Sequence, residues 1–257
     1  MFSRIAVLAV VFAVAPLPLV ALAEEAAEQA LPTADELMKA MDANLQYDTR
    51  TSTSTMVVDD GRRPRTYKMV TYGRGQDEAA IEYVLPERDK GTKMLKQGDQ
   101  LWLYLPRSER VQKISGHMMR QGMMGSDVSY EDLMSSDSFD EQYSARVTGA
   151  EQIEGRKCWR LEADAKDDTV TYPKRIMWID AETLMPLKQE LFALSGMKMK
   201  TWTMGDIREV EGRQVAYKMV IADELKQGSK TVITVDDVTF GVELEAEVFS
   251  RRWLERR

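Results

Sequence analysis

The chain of 257 residues contains one cysteine and one histidine, and this shortage excludes several kinds of chemistry. With Cys158 alone, no disulfide can form within the chain. A serine-type catalytic triad needs a histidine, and His117 is the only one available. A zinc site needs several such ligands at short spacings, which one cysteine and one distant histidine do not provide. The sequence therefore predicts no metal and no cofactor, and it favours a protein that is not an enzyme.

The sequence also lacks a phosphate-binding loop and an excess of positive charge. The segment GRGQDE at 73–78 has neither the lysine nor the hydroxyl residue of a Walker loop. The net charge of −7 argues against a nucleic-acid partner. One enzymatic alternative stays open, which is a hydrolase that uses His117 with Ser115 or Ser126.

Two adjacent aspartates, Asp236 and Asp237, lie inside the strand-like run TVITVDDVTF. Because side chains alternate along a strand, we expect one of the two carboxylates to face inward. A carboxylate pair of the glycosidase kind therefore stays open as well, although no motif positions its second member.

The N-terminal residues 1–23 have the pattern of a secretory signal peptide. Arg4 supplies the positive charge, residues 5–14 are apolar, and an A-x-A cleavage site at 21–23 precedes Glu24. The apolar run is too short and too interrupted to span a membrane well. We therefore expect cleavage after Ala23, a single domain over 24–257, and a location in the periplasm.

Residues 33–46 predict one amphipathic helix near the start of this domain. Thr33 and Glu36 have the spacing of a capping box. An apolar stripe follows at helical spacing, and it needs a surface to pack on. Its members are Leu37, Met38, Met41 and Leu45.

From residue 51 onward the hydrophobic period changes to two, which is typical of strands. Short turns rich in glycine separate the runs and favour an antiparallel meander that forms a sandwich or barrel. A short helix is predicted within 129–135, with Ser129 as its cap. The predicted strands are 51–58, 65–73, 78–85, 91–97, 100–105, 109–114, 143–150, 156–164, 174–180, 186–194, 197–205, 213–223 and 230–240.

The stretch from Leu101 to Leu133 is the most informative for function. Its first strand, LWLYL, is apolar on both faces, so each face needs a cover. The run HMMRQGMMG that follows is rich in glycine and methionine, which suits a movable flap over ligands of variable shape. An ordinary core with a loose loop is the alternative. The candidate ligand-binding residues are Trp102, Tyr104, Met118, Met119, Met123, Met124, Trp178, Trp202, Met204, Tyr217 and Met219.

The C-terminal sequence FSRRWLERR predicts a short amphipathic element. Phe249 and Trp253 are spaced i, i+4, so both can dock on the body of the domain while the arginines stay in water. Direct contact of this basic element with a membrane is the alternative.

Several blocks of the sequence resemble one known family. These are LWLYLPRSERVQKIS, GSDVSYEDL, KRIMWIDAETLMPLKQELFALSGMKMKTWTMGDI and KMVIADELKQGSKTVITVDDV. Together they are similar to the outer-membrane lipoprotein-sorting proteins of the LolA-like superfamily, over residues 50–257. The resemblance implies a mostly β (α+β) fold, with a curved antiparallel sheet forming an open half-barrel and helices packed on its concave face.

The same resemblance implies a function in transport. The expected protein is a periplasmic carrier that shields the acyl chains of a lipid or lipoprotein on the way to the outer membrane. Its implied partners are those acyl chains, an inner-membrane exporter and an outer-membrane acceptor, and we expect a monomer. The alternative is a non-enzymatic sensing or adaptor module that binds an envelope exporter or signalling protein.

Overall fold

The computed structural model describes residues 31–134 and 139–256. The predicted signal peptide lies outside these residues. The described chain forms one sheet of thirteen antiparallel strands with four short helices. The helices are α1 (Ala34–Leu45), α2 (Tyr130–Met134), α3 (Phe139–Gln142) and α4 (Arg251–Glu255). The strands are β1 (Thr49–Asp59), β2 (Arg65–Arg74), β3 (Glu78–Leu85), β4 (Lys93–Gln97), β5 (Gln100–Leu105), β6 (Arg110–Ile114), β7 (Tyr143–Ile153), β8 (Arg156–Ala165), β9 (Lys174–Asp180), β10 (Pro186–Phe192), β11 (Lys198–Val210), β12 (Arg213–Asp223) and β13 (Lys230–Phe240).

All thirteen predicted strands are confirmed, and the sheet is a curved, unclosed half-barrel as the resemblance implied. Its strand order is β6-β5-β4-β3-β2-β1-β13-β12-β11-β10-β9-β8-β7. Strands β6 and β7 are consecutive in the chain but form the two opposite edges of the sheet. The connection between them therefore has to pass across a sheet face, and residues 115–134 are here named the crossing segment.

Helix α1 and the crossing segment cover one face of the sheet, here called the concave face. The capping box of α1 is confirmed, because the Thr33 hydroxyl accepts from the Glu36 amide and the Glu36 carboxylate accepts from the Thr33 amide. Leu37 and Met41 pack with strands β7 to β9, as predicted for the apolar stripe. Leu45 does not join them, since it is 60 % exposed at the last turn of the helix.

The C-terminal residues cover part of the opposite, convex face. Phe249, Trp253 and Leu254 are buried there against strands β3 to β5. The Lys93 ammonium donates to the carbonyls of Trp253 and Arg256 and so fixes the end of the chain. The docking of the aromatic residues is confirmed. Strand β5 is apolar on both faces because the crossing segment covers one face and the C-terminus covers the other.

The prediction for Asp236 and Asp237 is wrong, because neither carboxylate faces the concave side. A β-bulge shifts the pairing of β13 with β1, so that Ser54 pairs with Val235 and Thr53 pairs with Asp237. The extra residue is Asp236, which accepts from the Thr55 hydroxyl on the convex side. A bulge places two consecutive residues opposite one partner and interrupts the alternation. Both carboxylates are exposed.

Asp180 organises the turn after β9, where Trp178, Asp180 and Thr183 lie in the WIDAET part of the sequence. Its side chain is 2 % exposed, forms an ion pair with Arg156 and accepts hydrogen bonds from the Thr183 amide and hydroxyl. Burial alone would raise the pKa of Asp180, but the bonds from Thr183 and Arg156 outweigh burial and lower the pKa below its ordinary value of 3.8. The charged form is therefore more stable in the folded protein than in the unfolded chain.

We expect Asp180→Asn to lower the free energy of unfolding by about 2 kcal/mol at neutral pH, the size of a hydrogen bond to a charged group. A lowered folded pKa stabilises the protein above the unfolded pKa, and this stabilisation is lost as the pH falls through the folded pKa. The difference between variant and parent should therefore shrink below the ordinary pKa of 3.8. Urea unfolding at several pH values measures this difference in the free energy of unfolding. Glu182→Gln, whose side chain is 89 % exposed on the same turn, is the control. A difference independent of pH would contradict this account.

Candidate ligand-binding face

The concave face carries two separate hydrophobic clusters. The first joins the crossing segment to residues of strands β1 to β6, β12 and β13. The second joins α1 and α3 to strands β7, β8 and β9. Strands β10 and β11 lie between the two groups of strands, so the cover of the concave face changes from one element to the other beside β12.

Four apolar residues on this side of β11 and β12 stay half-buried. Trp202 pairs with Ile221 and Met204 pairs with Met219, which places all of them on one face together with Tyr217. We name Trp202, Met204, Tyr217 and Met219 the open stripe. Trp202 and Met219 touch the edge of the first cluster. The Trp202 indole nitrogen is buried and has no hydrogen-bond partner among the described residues.

The methionines of the crossing segment pack against the first cluster, which Trp202 and Met219 also touch. Met123 is 5 % exposed and belongs to the first cluster, and Met118, Met119 and Met124 are half-buried against it. Met124 has a φ of 52°, in the left-handed region that few non-glycine residues adopt. The segment is made of two short 3-10 turns before α2 begins, so few backbone hydrogen bonds of its own stabilise it.

Polar contacts to the sheet hold the crossing segment in place. Arg65 donates to the carbonyls of Met124 and Gly125, both at 3.3 Å. Asp127, 1 % exposed, accepts from the Ser229 hydroxyl at 2.6 Å and from the Thr231 hydroxyl at 2.8 Å. These bonds account for the aspartate of the GSD block, which ties the segment to the start of β13.

A second buried polar group fixes α2 to β11. Asp132 forms an ion pair with Lys200, and their side chains are 3 % and 11 % exposed. The Tyr172 hydroxyl donates to Asp132 at 2.7 Å, and the Ser129 amide donates to it at 2.7 Å. Burial, with a further contribution from Asp132, raises the pKa of Tyr172, so this phenol stays protonated and remains a donor. The predicted helix cap is confirmed, because the Ser129 hydroxyl accepts from the Asp132 amide.

Eight of the eleven predicted binding residues lie on the concave face or in the crossing segment above it. The other three do not. Trp102 and Tyr104 face the convex side and are buried under the C-terminal residues. Trp178 also faces the convex side, beside Cys158, and its indole nitrogen donates to Glu151 at 2.7 Å. An apolar strand predicts burial of these rings but does not indicate which element buries them.

Sequence reasoning missed a polar cavity at one end of the concave face. Its volume is about 580 Å³, and Arg213 in its wall donates to the Gln46 carbonyl. Tyr47 packs here against Phe240, with 6.1 Å between the ring centroids. No single motif could have indicated this site, because four separate stretches of chain supply it. The lining residues are Gln46, Tyr47, Asp48, Gly75, Gln76, Glu141 and Arg213.

The hydrolase alternative has no geometry to support it. His117 is exposed in the first 3-10 turn, while Ser126 is buried and its hydroxyl donates to the Val128 carbonyl. Within residues 31–134 and 139–256, no three histidine, cysteine or acidic residues are grouped to hold a metal ion. None of the helices in these ranges is long and apolar enough to cross a membrane.

The fold matches known proteins. A protein-family model, described only as that of an uncharacterized protein, matches residues 75–256, more than half of the chain. The chain belongs to the family of this model, the DUF1329 family. Solved structures of LolA-like proteins share its fold. No curated protein sequence matches the chain.

Three solved structures with this fold are covered over nearly the whole of their own length in the alignment. An outer membrane lipoprotein-sorting protein domain from Vibrio parahaemolyticus is 24 % identical, with a TM-score of 0.77 over 86 % of this chain and 97 % of that one. A DUF1329 family protein from Desulfovibrio piger is 26 % identical, with a TM-score of 0.78 over 85 % and 96 %. A LolA superfamily protein from Nitrosomonas europaea is 20 % identical, with a TM-score of 0.71 over 86 % and 99 %.

Proposed function

We propose that this LolA-like protein is a non-enzymatic carrier that binds the acyl chains of a lipid or lipoprotein on its concave face. The observation that carries the proposal is the open stripe, a run of half-buried apolar side chains on β11 and β12. Two of them, Trp202 and Met219, pack against the same cluster as the methionines of the crossing segment. Partly exposed apolar side chains grouped on one face are typical of a binding surface. An acyl chain laid along the stripe would complete its burial.

The energetics of acyl burial are sufficient for reversible binding. Each buried methylene group contributes about 0.8 kcal/mol, so one long acyl chain supplies enough free energy for stable but reversible association. Methionine side chains adapt to ligands of different shape because they are unbranched and polarisable. Met118, Met119 and Met124, which pack against the same cluster as Trp202 and Met219, suit a carrier of lipids with varied chains.

Movement of the first half of the crossing segment, residues 115–125, would admit the ligand. This half consists of short 3-10 turns, whereas Asp127 and Asp132 anchor the second half to the sheet. Regions with little regular structure of their own open at lower free energy than the body of a sheet. The sheet and the anchored second half would then act as the rigid wall of the site, and the first half as its movable cover.

The location and the partners complete the proposal. The signal-like pattern of residues 1–23 supports export. Likeness to an outer membrane lipoprotein-sorting domain supports a role between the two membranes of an envelope. In this function the protein accepts its cargo from an inner-membrane exporter and delivers it to an outer-membrane acceptor. The net charge of −7 suits release from anionic membrane surfaces after delivery.

Substitution of Met219 by tryptophan tests the proposal. The larger ring would fill the open stripe, so we expect a fluorescent fatty acid to bind Met219→Trp at least tenfold more weakly than the parent protein. Met197→Trp, at a position 50 % exposed in the turn before β11, is the matched control and should bind normally. Unchanged melting temperatures would show that both variants fold.

Equal binding by the parent protein and Met219→Trp would show that the open stripe is not the binding site. Failure of the parent protein to bind any acyl probe would contradict the carrier function itself. A stable protein complex that persists in Met219→Trp, with no acyl binding, would instead favour the adaptor alternative.

A further inference from the structure

The polar cavity at the end of the concave face carries charges of both signs that do not pair with one another. Arg213 lies in its wall, and Asp48 and Glu141 are exposed at its rim. Among the described residues, none of these three forms an ion pair with another charged side chain, and Arg213 donates to the Gln46 carbonyl. The cavity has a volume of about 580 Å³, and its opposite charges do not contact one another. A ligand that carries both a positive and a negative charge could therefore pair with both.

Aromatic rings and a second arginine lie directly behind this cavity. The Arg213 guanidinium is 5.4 Å from the Phe240 ring centroid, and the Arg50 guanidinium is 4.9 Å from the Tyr47 ring centroid. The Arg50 Nε atom is buried and has no hydrogen-bond partner among the described residues. Tyr47 approaches the sheet closely because Gly73 has no side chain, and a Cβ there would lie 2.7 Å from the Tyr47 hydroxyl. Two guanidinium groups therefore lie against aromatic rings beside the cavity.

The cavity lies in line with the open stripe. Arg213 begins β12, and Tyr217 and Met219 follow it on the same face of the strand. Six residues of strand separate Arg213 from Met219, a distance of about 20 Å at the usual rise per residue. A lipid with its head group in the cavity could thus extend its acyl chain along the stripe.

We infer that the cavity binds the zwitterionic head group of a phospholipid, in which a phosphate diester carries a primary ammonium. The phosphate would face Arg213, since guanidinium groups bind phosphate through paired donors. The ammonium would face Asp48 and Glu141 at the rim. A purely anionic head group would be repelled by the two carboxylates, and a purely cationic one would be repelled by Arg213. This inference rests on the proposed carrier function and narrows its cargo.

Lipid loading with three head groups tests the inference. The delipidated full chain is incubated with detergent micelles that contain phosphatidylethanolamine, phosphatidylglycerol or diacylglycerol with identical acyl chains, and bound lipid is counted by mass spectrometry. We expect phosphatidylethanolamine to load at least tenfold more than either of the others. Arg213→Gln and Glu141→Gln should each remove most of this preference and leave diacylglycerol loading unchanged.

Matched controls come from the C-terminal cavity on the other face of the sheet. Arg252 and Glu255 line that cavity, so Arg252→Gln and Glu255→Gln change the same charges at a distance from the open stripe. Both should retain the preference. Equal loading of phosphatidylethanolamine and diacylglycerol, or preferential loading of phosphatidylglycerol, would overturn the head-group inference and leave the carrier function intact. Failure of all three lipids to load would overturn both.

Discussion

We expect Asp132→Ala to lower the free energy of unfolding by about 3–5 kcal/mol, the cost of leaving one member of a buried ion pair without its partner. The Lys200 side chain is 11 % exposed and would lose its buried counter-charge. Tyr172 would lose the acceptor of its hydroxyl group as well. Because Asp132 lies on α2, the crossing segment should also separate from β11. Urea unfolding and hydrogen exchange at the amides of α2 measure the two effects.

Two further variants separate the buried pair from a general effect of charge. Asp164→Ala removes an exposed carboxylate that pairs with Arg146 at 3.3 Å, and it should cost less than about 1 kcal/mol. Adding Lys200→Met to Asp132→Ala removes the unpaired charge, so the double variant should be more stable than Asp132→Ala alone. A double variant that is less stable than either single one would contradict the role given to this pair.

The C-terminal tryptophan gives the second large effect. Trp253 is 7 % exposed, packs edge-on against Tyr72 at 6.5 Å, and lies under the Lys93 ammonium at 4.7 Å. We expect Trp253→Ala to cost about 3–5 kcal/mol, as for other buried aromatic residues. Loss of this ring would release the C-terminal residues and expose Trp102 on the convex face. Thermal unfolding and the emission wavelength of tryptophan fluorescence report both changes.

A control for this substitution lies on the same helix. Arg252 is 89 % exposed, so Arg252→Ala should change the free energy of unfolding by less than about 0.5 kcal/mol. Equal, small effects of both substitutions would mean that the C-terminal residues do not stabilise the sheet. In that case the basic C-terminus would be free for the membrane contact that the sequence left open.

The sequence predicted the strands well because each apolar run alternates and ends in a turn. The caps of α1 and α2 were also predictable, since Thr33–Glu36 and Ser129–Asp132 have the spacing of capping pairs. The β-bulge at Asp236 was not, because the register of a strand depends on its neighbours, and no local pattern marks an extra residue.

The choice of face limited the prediction of the candidate site. Trp102 and Trp178 alternate correctly with their neighbours, yet both lie on the convex side. Alternation divides a strand into two faces without telling which face is concave, and here both faces are covered. The polar cavity could not be predicted because Tyr47, Glu141 and Arg213 come from distant stretches of the chain. Charged residues at turns are usually solvated, so composition alone gives no reason to group them.

The central claim is that an acyl chain occupies the concave face in the cell, and extraction of the protein purified from its own envelope tests it most directly. Organic solvent should release about one lipid per protein molecule from the parent protein, and mass spectrometry should identify its acyl chains and head group. Met219→Trp should release much less, and Met197→Trp should match the parent. A parent protein that yields no lipid, and that stays empty when offered lipid vesicles, would contradict the account.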